Sequence, residues 1–378
     1  MATLNEMFQL GTLNECALEC TRQSRWKETT QRYLCNMLVK NLELQQEVLS
    51  GNYRVSPTVD FRLNERGHLR FIEAPVVRDR IVQKTFVKNV LAPALTKCLI
   101  YDNYASLPKR GTSFARKRFE IMLRRYFNKH GRDGYILLID IKKYFDSVDH
   151  DVLKEMIAPY LDDQPQDVRE IIDYMIDTSS KTNKGLNLGS EAPQIFAIFY
   201  LSVIDTLVKV ILHRKYYGRY MDDIFVIGQT KEELRSVLHD FEVSLASLRL
   251  ETNKRKTIIT KLSHGFTYLQ VKYTITPSGK IIKRPSHGKI VRERRRLRAF
   301  RRMFDAGRMT LEEIQNCYQS WRGTFIREHN SYRKTLKSMD DLYKALFPEP
   351  VEKTKKGRYL LSQEAFEDAR ELNNIINH

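Results

Sequence analysis

Apolar positions recur at helical spacing early in the chain: Leu34, Met37, Leu38 and Leu42 fall on one face, so residues 1–55 are expected to be helical. From Val55 to Pro75 the apolar runs shorten and break at Asn64-Glu65-Arg66-Gly67, which predicts a hairpin turn. Arg78 to Lys97 returns to amphipathic helix, and Thr112 or Ser113 can cap a basic helix running to His130. Gly134 then opens Tyr135-Ile136-Leu137-Leu138-Ile139, an uninterrupted apolar run that suits a buried strand. Val152 to Ser179 reads as helix, Gly185 to Gly189 as loop, and Pro193 to Val210 as a strongly apolar helix. Tyr216 to Ile227 and Phe266 to Ile275 read as strands, with the helix Lys231–Leu248 between them. Beyond Pro285 the pattern is helical and basic through Leu346. The last stretch opens on Pro348-Glu349-Pro350 and places Ala365, Ala369, Leu372 and Ile376 at helical spacing.

Charge changes this picture. The 378 residues include 64 Lys and Arg against 46 Asp and Glu, a surplus of +18 that points to a polyanionic partner, nucleic acid first. The surplus is concentrated: Lys283 to Arg302 holds ten Lys or Arg and one acid, Glu293. Length predicts two or three domains, and 42% hydrophobic residues argue for a packed core. The cysteines Cys16, Cys20, Cys35, Cys98 and Cys317 show no CxxC spacing, so neither a disulfide framework nor a zinc site is expected, and a reducing cytosol is. Cys16 and Cys20 share a helical face and read as core. No run is expected to span a membrane, and the N-terminus has no signal-peptide pattern.

Candidate chemistry lies in carboxylates at strand ends. Asp140 follows the apolar run Ile136–Ile139, and Asp222-Asp223 precedes Ile224-Phe225-Val226-Ile227. A strand–turn–strand hairpin would carry the pair at its tip, where two acids cannot serve as apolar core. Adjacent carboxylates repel and stay ionised most readily beside a cation. Hard oxygen donors without His or Cys suit Mg²⁺. Two such ions about 4 Å apart can activate an attacking 3′-hydroxyl and stabilise a leaving pyrophosphate.

The ordered set Asp140-Ile141-Lys142-Lys143-Tyr144-Phe145-Asp146, Leu188-Gly189-Ser190-Glu191-Ala192-Pro193-Gln194 and Tyr220-Met221-Asp222-Asp223 resembles the reverse transcriptase family. Asn253-Lys254-Arg255-Lys256-Thr257 and Phe266-Thr267-Tyr268-Leu269 look like its next two motifs. Upstream, the stretches Ile72 to Gln83 and Tyr104 to Gly111 look like its finger motifs. The resemblance covers roughly residues 55–346 and is nearest to stand-alone bacterial and phage enzymes. It implies an α+β fold of the right-hand polymerase type: a helical extension over 1–55, fingers over 56–135, a palm over 136–278 with part of the fingers in 150–187, a helical thumb over 279–346 and a tail over 347–378. No nuclease or integrase is expected.

The resemblance also implies roles. Asp140, Asp222, Asp223 and Lys256 would be catalytic, with Lys256 approaching the leaving pyrophosphate. Asp140, Asp222, Asp223 and Ile141 would hold two Mg²⁺ ions, with Mn²⁺ an alternative. Arg70, Arg78, Arg80, Tyr144, Phe145, Leu188, Gly189 and Gln194 would surround the incoming nucleotide, Phe145 blocking a ribose 2′-hydroxyl. Of Arg78 and Arg80, one is expected on phosphate and the other in a structural pair. Lys109, Arg110, Arg292, Arg295 and Arg296 would meet nucleic-acid backbone. Trp321 is expected to be thumb core. Expected partners are an RNA template, the DNA product and deoxynucleoside triphosphates, in a bacterial cytoplasm and away from membrane. An accessory protein and self-association stay open.

The chain departs from the family's commonest pattern at one loop. It reads Asn187-Leu188-Gly189 where Pro-Gln-Gly is usual, which resembles the diversity-generating branch, yet Pro193 stands where that branch has Ser. Replacing an amide by Leu188 beside the nascent base pair implies reduced fidelity. The roles weighed are copying of a dedicated noncoding RNA in antiphage defence or a prophage element, diversity generation, and a catalytically silent RNA-binding scaffold.

Overall fold

Three helices begin at the same local device. Thr3, Thr230 and Thr310 each accept a hydrogen bond from the backbone N–H three residues on, while the Glu at that position reaches back to the Thr N–H. Two orphan donors are satisfied at each start, which fixes where the helix begins. The computed structural model describes residues 3–65 and 68–348. The tail segment with Ala365, Ala369, Leu372 and Ile376 lies outside the described residues.

In chain order the elements open with helices α1 (Leu4–Met7), α2 (Leu10–Thr21), α3 (Glu28–Cys35) and α4 (Met37–Leu49). The hairpin β1 (Val59–Glu65) and β2 (His68–Ala74) follows, then α5 (Val77–Phe86), a π-helical turn Val87–Leu91, α6 (Ala92–Leu95) and α7 (Thr112–His130). Strand β3 (Tyr135–Ile139) leads to α8 (Tyr144–Ser147), α9 (His150–Leu161), α10 (Gln166–Asp177), α11 (Ala192–Tyr200) and α12 (Ser202–Thr206), which widens into a π turn at Leu207–Ile211. Next come β4 (Tyr217–Tyr220), β5 (Asp223–Gly228), α13 (Lys231–Ser247), β6 (Ile258–Lys261), β7 (Phe266–Tyr268), β8 (Val271–Ile275) and β9 (Ile281–Pro285). Helices α14 (His287–Asp305), α15 (Leu311–Glu328) and α16 (Arg333–Leu346) end the described chain.

Among the described residues, contacts divide the chain into two compact units: one takes those up to Leu123 and Gly134–Ile259, the other Arg124–Asp133 and those from Thr260 on. The first unit centres on a sheet of order β4-β5-β3-β6. β3 lies antiparallel to β5, with Ile136 opposite Ile227 and Ile139 opposite Ile224. Ile136 to Ile139 are buried, which explains why β3 reads as one continuous apolar run rather than an alternation. Leu234, Val237, Phe241 and Leu245 of α13, one helical face, join the same core. Cys16 is buried in this core, and burial pushes the thiol of Cys20 up to about 11, consistent with two inert core thiols.

Several sequence expectations need correction. Val152–Ser179 is two helices, because Asp162 to Pro165 interrupt it. Ala192–Ile211 forms a helical run long and apolar enough, by length and composition alone, to cross a membrane, although Gln194, Asp205 and Lys209 interrupt it. In this fold α11 is the most buried helix of the first unit: all its residues but Gln194 are inaccessible. Packing accounts for the hydropathy of α11, whereas Val203, Val210 and Ile211 further along the run are exposed.

In the second unit Phe266–Ile275 is a hairpin, not a single strand. Leu269 and Gln270 both adopt positive φ (44° and 66°), giving the two-residue turn whose twist matches antiparallel strands. β9 then pairs with β8, so residues 281–285 are strand where thumb helix was expected. Helices α14 to α16 close around Leu297, Ile314, Tyr318 and Met339. Tyr318 stacks on Tyr343 at 4.3 Å, and Trp321 stacks on Tyr318 and Phe325 at 5.6 and 4.7 Å, so Trp321 is part of this bundle's aromatic packing.

Candidate active site at the end of the central sheet

Asp140 is the first residue beyond β3, and its neighbour Ile139 pairs with Ile224, one residue past Asp223. Tyr220 pairs with Asp223 across β4 and β5, leaving Met221-Asp222 as a two-residue turn with Met221 at φ 53°. The register alone therefore delivers Asp140, Asp222 and Asp223 to the same end of adjacent strands, about 5 Å apart along the sheet. A left-handed Met is strained, and such strain persists only where surrounding contacts hold it.

Arg219 provides that hold. It is fully buried, donates Nε and Nη2 to Asp205 at 2.9 and 2.6 Å, and donates Nη1 to the Met221 carbonyl at 3.3 Å. Nη2 also reaches the Ile198 carbonyl at 2.8 Å, and the Tyr217 hydroxyl donates to Asp205 at 2.5 Å. Burial and the neighbouring Asp205 carboxylate both push the Tyr217 phenol well above its usual range. A desolvated charge pair thus underlies the acidic turn. Neither Arg219 nor Asp205 was singled out from the sequence, although a lone Arg directly before Tyr220-Met221-Asp222-Asp223 in a buried strand is a visible signal.

Asp140 is gripped from the other side by the turn Asn253–Thr257. Asn253 Nδ2 donates to Asp140 Oδ2 at 2.9 Å, and the Asn253 N–H donates to the Asp140 carbonyl at 2.7 Å. Lys256 Nζ lies 3.3 and 3.2 Å from the two Asp140 oxygens while its side chain stays mostly exposed. Asn253 belongs to a recognised sequence motif, but its contact with Asp140 was not anticipated.

The donor chemistry suits a hard cation: three carboxylates and no His or Cys. Ile141 is buried and bridges to Thr252, so only its carbonyl is chemically able to ligate. Among the described residues, however, no three His, Cys, Asp or Glu side chains group closely enough to share an ion. Asp140, Asp222 and Asp223 share one sheet end. Asp140 is held by Lys256 and Asn253.

The family model described as reverse transcriptase (RNA-dependent DNA polymerase) matches residues 59–273, more than half of the chain. The chain belongs to the reverse transcriptase family. A comparison with curated protein sequences finds no match. Among solved structures, apo telomerase from Candida tropicalis, truncated from its C-terminal domain, is 16% identical with a TM-score of 0.45, covering 64% of this chain and 59% of that one. Telomerase from Candida albicans in complex with a TWJ fragment of telomeric RNA is 13% identical with a TM-score of 0.47, covering 76% of this chain and 55% of that one. The chain therefore spans a little over half the length of these telomerases.

Within this reverse transcriptase, the residues expected around a nucleotide divide. Arg78 is bound to Glu47, lies 3.6 Å from Asp79 and covers the Tyr53 ring. Arg80 makes no ion pair among the described residues; it lines a cavity of about 930 Å³ together with Arg78, Leu188 and Gly189, and the Nε of both arginines is buried without a hydrogen-bond partner there. Gly189 adopts φ 118°, while an added Cβ would meet Pro75 at an ordinary 3.7 Å, so conformation and not space demands glycine. Lys84 binds Glu191 at 2.6 Å and anchors this loop to α5. Gln194 is exposed and accepts from Ser106 Oγ at 2.9 Å.

Phe145 is half-buried, edge-on to Tyr144 at 5.7 Å. Tyr144 itself is a correction: it is buried and its hydroxyl donates to the Ala197 carbonyl, so it supports Phe145 rather than offering a ring to a ligand. Burial, with Asp222 adding to it, pushes this phenol well above its usual range. The Arg70 side chain lies outside the described residues.

Backbone-contact candidates divide as well. Lys109 is exposed in a left-handed turn, φ 61°. Arg110 is committed to the carbonyls of Tyr101 and Asn103 and to the rings of Tyr101 and Phe114, a structural role instead of the expected one. On α14, Arg292 and Arg295 are exposed, with Arg292 Nε 3.3 Å from the Gly288 carbonyl. Arg296 is tied to Glu293 and the Cys317 carbonyl, both at 3.3 Å, and covers Phe300, so its guanidinium serves bundle packing.

Proposed function

We propose that this reverse transcriptase is an RNA-directed DNA polymerase that copies an RNA template into DNA by nucleotidyl transfer. The observation that carries the reading is the delivery of Asp140, Asp222 and Asp223 to one sheet end, with Lys256 and Asn253 fixed on Asp140. A scaffold has no need of three acids facing a polyanion. Bound Mg²⁺ would neutralise these carboxylates and polarise the reacting phosphate. The chain's own groups do the rest. Arg80 binds triphosphate oxygens beside Gly189, and Phe145 occupies the space a ribose 2′-hydroxyl would need. Lys256 leaves Asp140 to meet the charge developing on pyrophosphate, as a donor or as a fixed cation.

The role that best fits is copying of an associated noncoding RNA in antiphage defence or a prophage element, in a bacterial cytoplasm. Leu188 favours a second reading, error-prone diversity generation, because an apolar side chain beside Gly189 offers no hydrogen bond to template or base. Extension of a DNA primer on an RNA template with Mg²⁺, compared with Asp222→Asn, tests the activity. Extension lost in the variant with RNA binding retained is expected. No extension by either protein would overturn the polymerase reading in favour of the scaffold. Sequencing the DNA separates the roles: adenine-biased errors favour diversity generation, faithful or repetitive copies favour defence.

A further inference from the structure

The second unit carries a basic cleft that the catalytic reading leaves unused. β8 and β9 set Lys272 directly opposite Arg284, two like charges across a strand pair, an arrangement that is destabilising unless something anionic meets it. Arg294 of α14 and Arg333 and Lys334 at the start of α16 complete the basic lining of a cleft of about 1300 Å³, with His287 beside them. No Asp or Glu among the described residues lines it. Among the described residues, none of these six side chains forms an ion pair. Arg284 Nε and Arg294 Nη2 reach hydroxyls only, Ser331 Oγ at 3.5 Å and Ser338 Oγ at 3.1 Å. Other cavities of the molecule differ on this point: Glu43 and Glu47 line the one beside Arg80, and Glu293 and Glu328 line the one beside Trp321.

The walls are preformed. Asn330 accepts from the Lys283 N–H at 2.7 Å and donates Nδ2 to the Ile281 carbonyl at 2.8 Å. The N–H groups of Asn330 and Ser331 both donate to the Lys283 carbonyl at 3.2 Å. The loop before α16 is thereby locked to β9, so little ordering remains to be done on binding. The cleft is also distinct from the surface expected to meet the copied duplex. At about 100° per residue, the exposed Arg292 and Arg295 lie about 200° and 100° around α14 from Arg294.

We propose that this cleft is a second nucleic-acid site, which holds the sugar–phosphate backbone of folded RNA apart from the duplex being copied. It rests on the reading that the partner is RNA. Five Lys and Arg side chains, with no acid among the described residues of the lining, fit a run of phosphates, and sequence-independent contacts of this kind anchor a structured RNA while another part of it is copied.

The test compares the full chain with the triple variant Arg284→Gln, Arg333→Gln, Lys334→Gln, all at exposed positions, on a labelled RNA stem-loop across a salt series. The expected result is weaker binding and a log–log salt slope reduced by about three, one per phosphate contact. The charge-keeping variant Arg284→Lys, Arg333→Lys is expected to retain the slope. Unchanged affinity and slope in the triple variant would overturn the proposal. So would saturable binding of inorganic tripolyphosphate that the triple variant loses while its RNA affinity stays intact. Primer extension by the same wild-type preparation separates the two readings. Extension with an unaffected slope sinks the cleft alone, whereas a reduced slope without extension sinks the polymerase reading alone.

Discussion

Arg219 and Asp205 meet through two hydrogen bonds of 2.9 and 2.6 Å, with neither side chain accessible to solvent, directly beneath the turn that carries Asp222. Removing one partner leaves the other charge buried and unpaired, so Asp205→Ala is expected to lower stability by about 3–5 kcal/mol, read by urea denaturation. The double variant Arg219→Met, Asp205→Leu removes both charges and is expected to regain most of that stability. It still loses the bond to the Met221 carbonyl, so kcat for primer extension is expected to stay depressed while KM changes little. Full activity in the stable double variant would show that the pair does not position the turn.

The arginines two apart in α5 are expected to separate by phenotype. Arg78→Ala removes the partner of Glu47 and the cover of Tyr53, and should lower the melting temperature with modest change in KM for nucleotide. Arg80→Ala should do the reverse, raising KM about tenfold or more through loss of a charge-assisted phosphate contact while stability holds. Equal effects on KM would contradict the division.

What the sequence revealed follows from how local each signal is. β3 and the acidic turn were legible because a continuous apolar run and an apolar strand each end in Asp, and strand register is a short-range property. The hairpin within Phe266–Ile275 was not, because Leu269-Gln270 takes positive φ without the Gly, Asn or Asp that announces such a turn. The pairing of Arg78 with Glu47, thirty-one residues away on α4, could not be read, because no periodicity reports a contact of that range. Tyr144 and Arg110 looked available for ligands because their partners, Ala197, Tyr101 and Asn103, are backbone carbonyls, which carry no sequence identity. The grip of Lys256 and Asn253 on Asp140 was not legible either, because a motif encodes spacing but not which side chain its lysine and asparagine meet.

Asp149 should give the first unit a specific acid sensitivity. Burial alone would raise this carboxyl, but the hydrogen bond from Arg249 at 2.9 Å, the Val152 N–H at the start of α9 and the Arg249 and Lys184 charges outweigh it, and the net shift is downward. A carboxylate lowered in the folded state contributes stability that is present above its unfolded value of about 3.9 and is lost as pH falls through the folded value. Asp149→Asn is expected to cost about 1 kcal/mol at neutral pH, and the difference from wild type should shrink below about pH 4. Urea midpoints measured from pH 7 to pH 3 decide this, and a constant difference would exclude the linkage.

Phe145 is expected to set sugar selectivity. Its ring is held by Tyr144, which the Ala197 carbonyl fixes in turn, so the aromatic face is supported from behind. Phe145→Ala should increase ribonucleotide incorporation by about 10-fold or more relative to deoxynucleotides, a steric effect of the size expected when a pocket wall is removed. Tyr144→Phe keeps the ring but frees the carbonyl, and a smaller loss of selectivity is expected. If both variants discriminate as wild type, Phe145 is only core packing.

Lys256 offers the most direct test of the chemistry, because it faces solvent yet is fixed on Asp140. An exposed ion pair contributes little to folding, so Lys256→Ala should leave the urea midpoint nearly unchanged. If the ammonium meets the leaving pyrophosphate, single-turnover extension should fall about 10²–10⁴-fold in Lys256→Ala. Lys256→Arg keeps the cation but holds its proton more firmly, which separates the two roles available to this side chain. Near-full rescue by Arg would mean that fixed charge suffices, whereas slow extension by both variants would identify proton donation. A wild-type rate in Lys256→Ala would assign the lysine to holding Asp140 in place and nothing more.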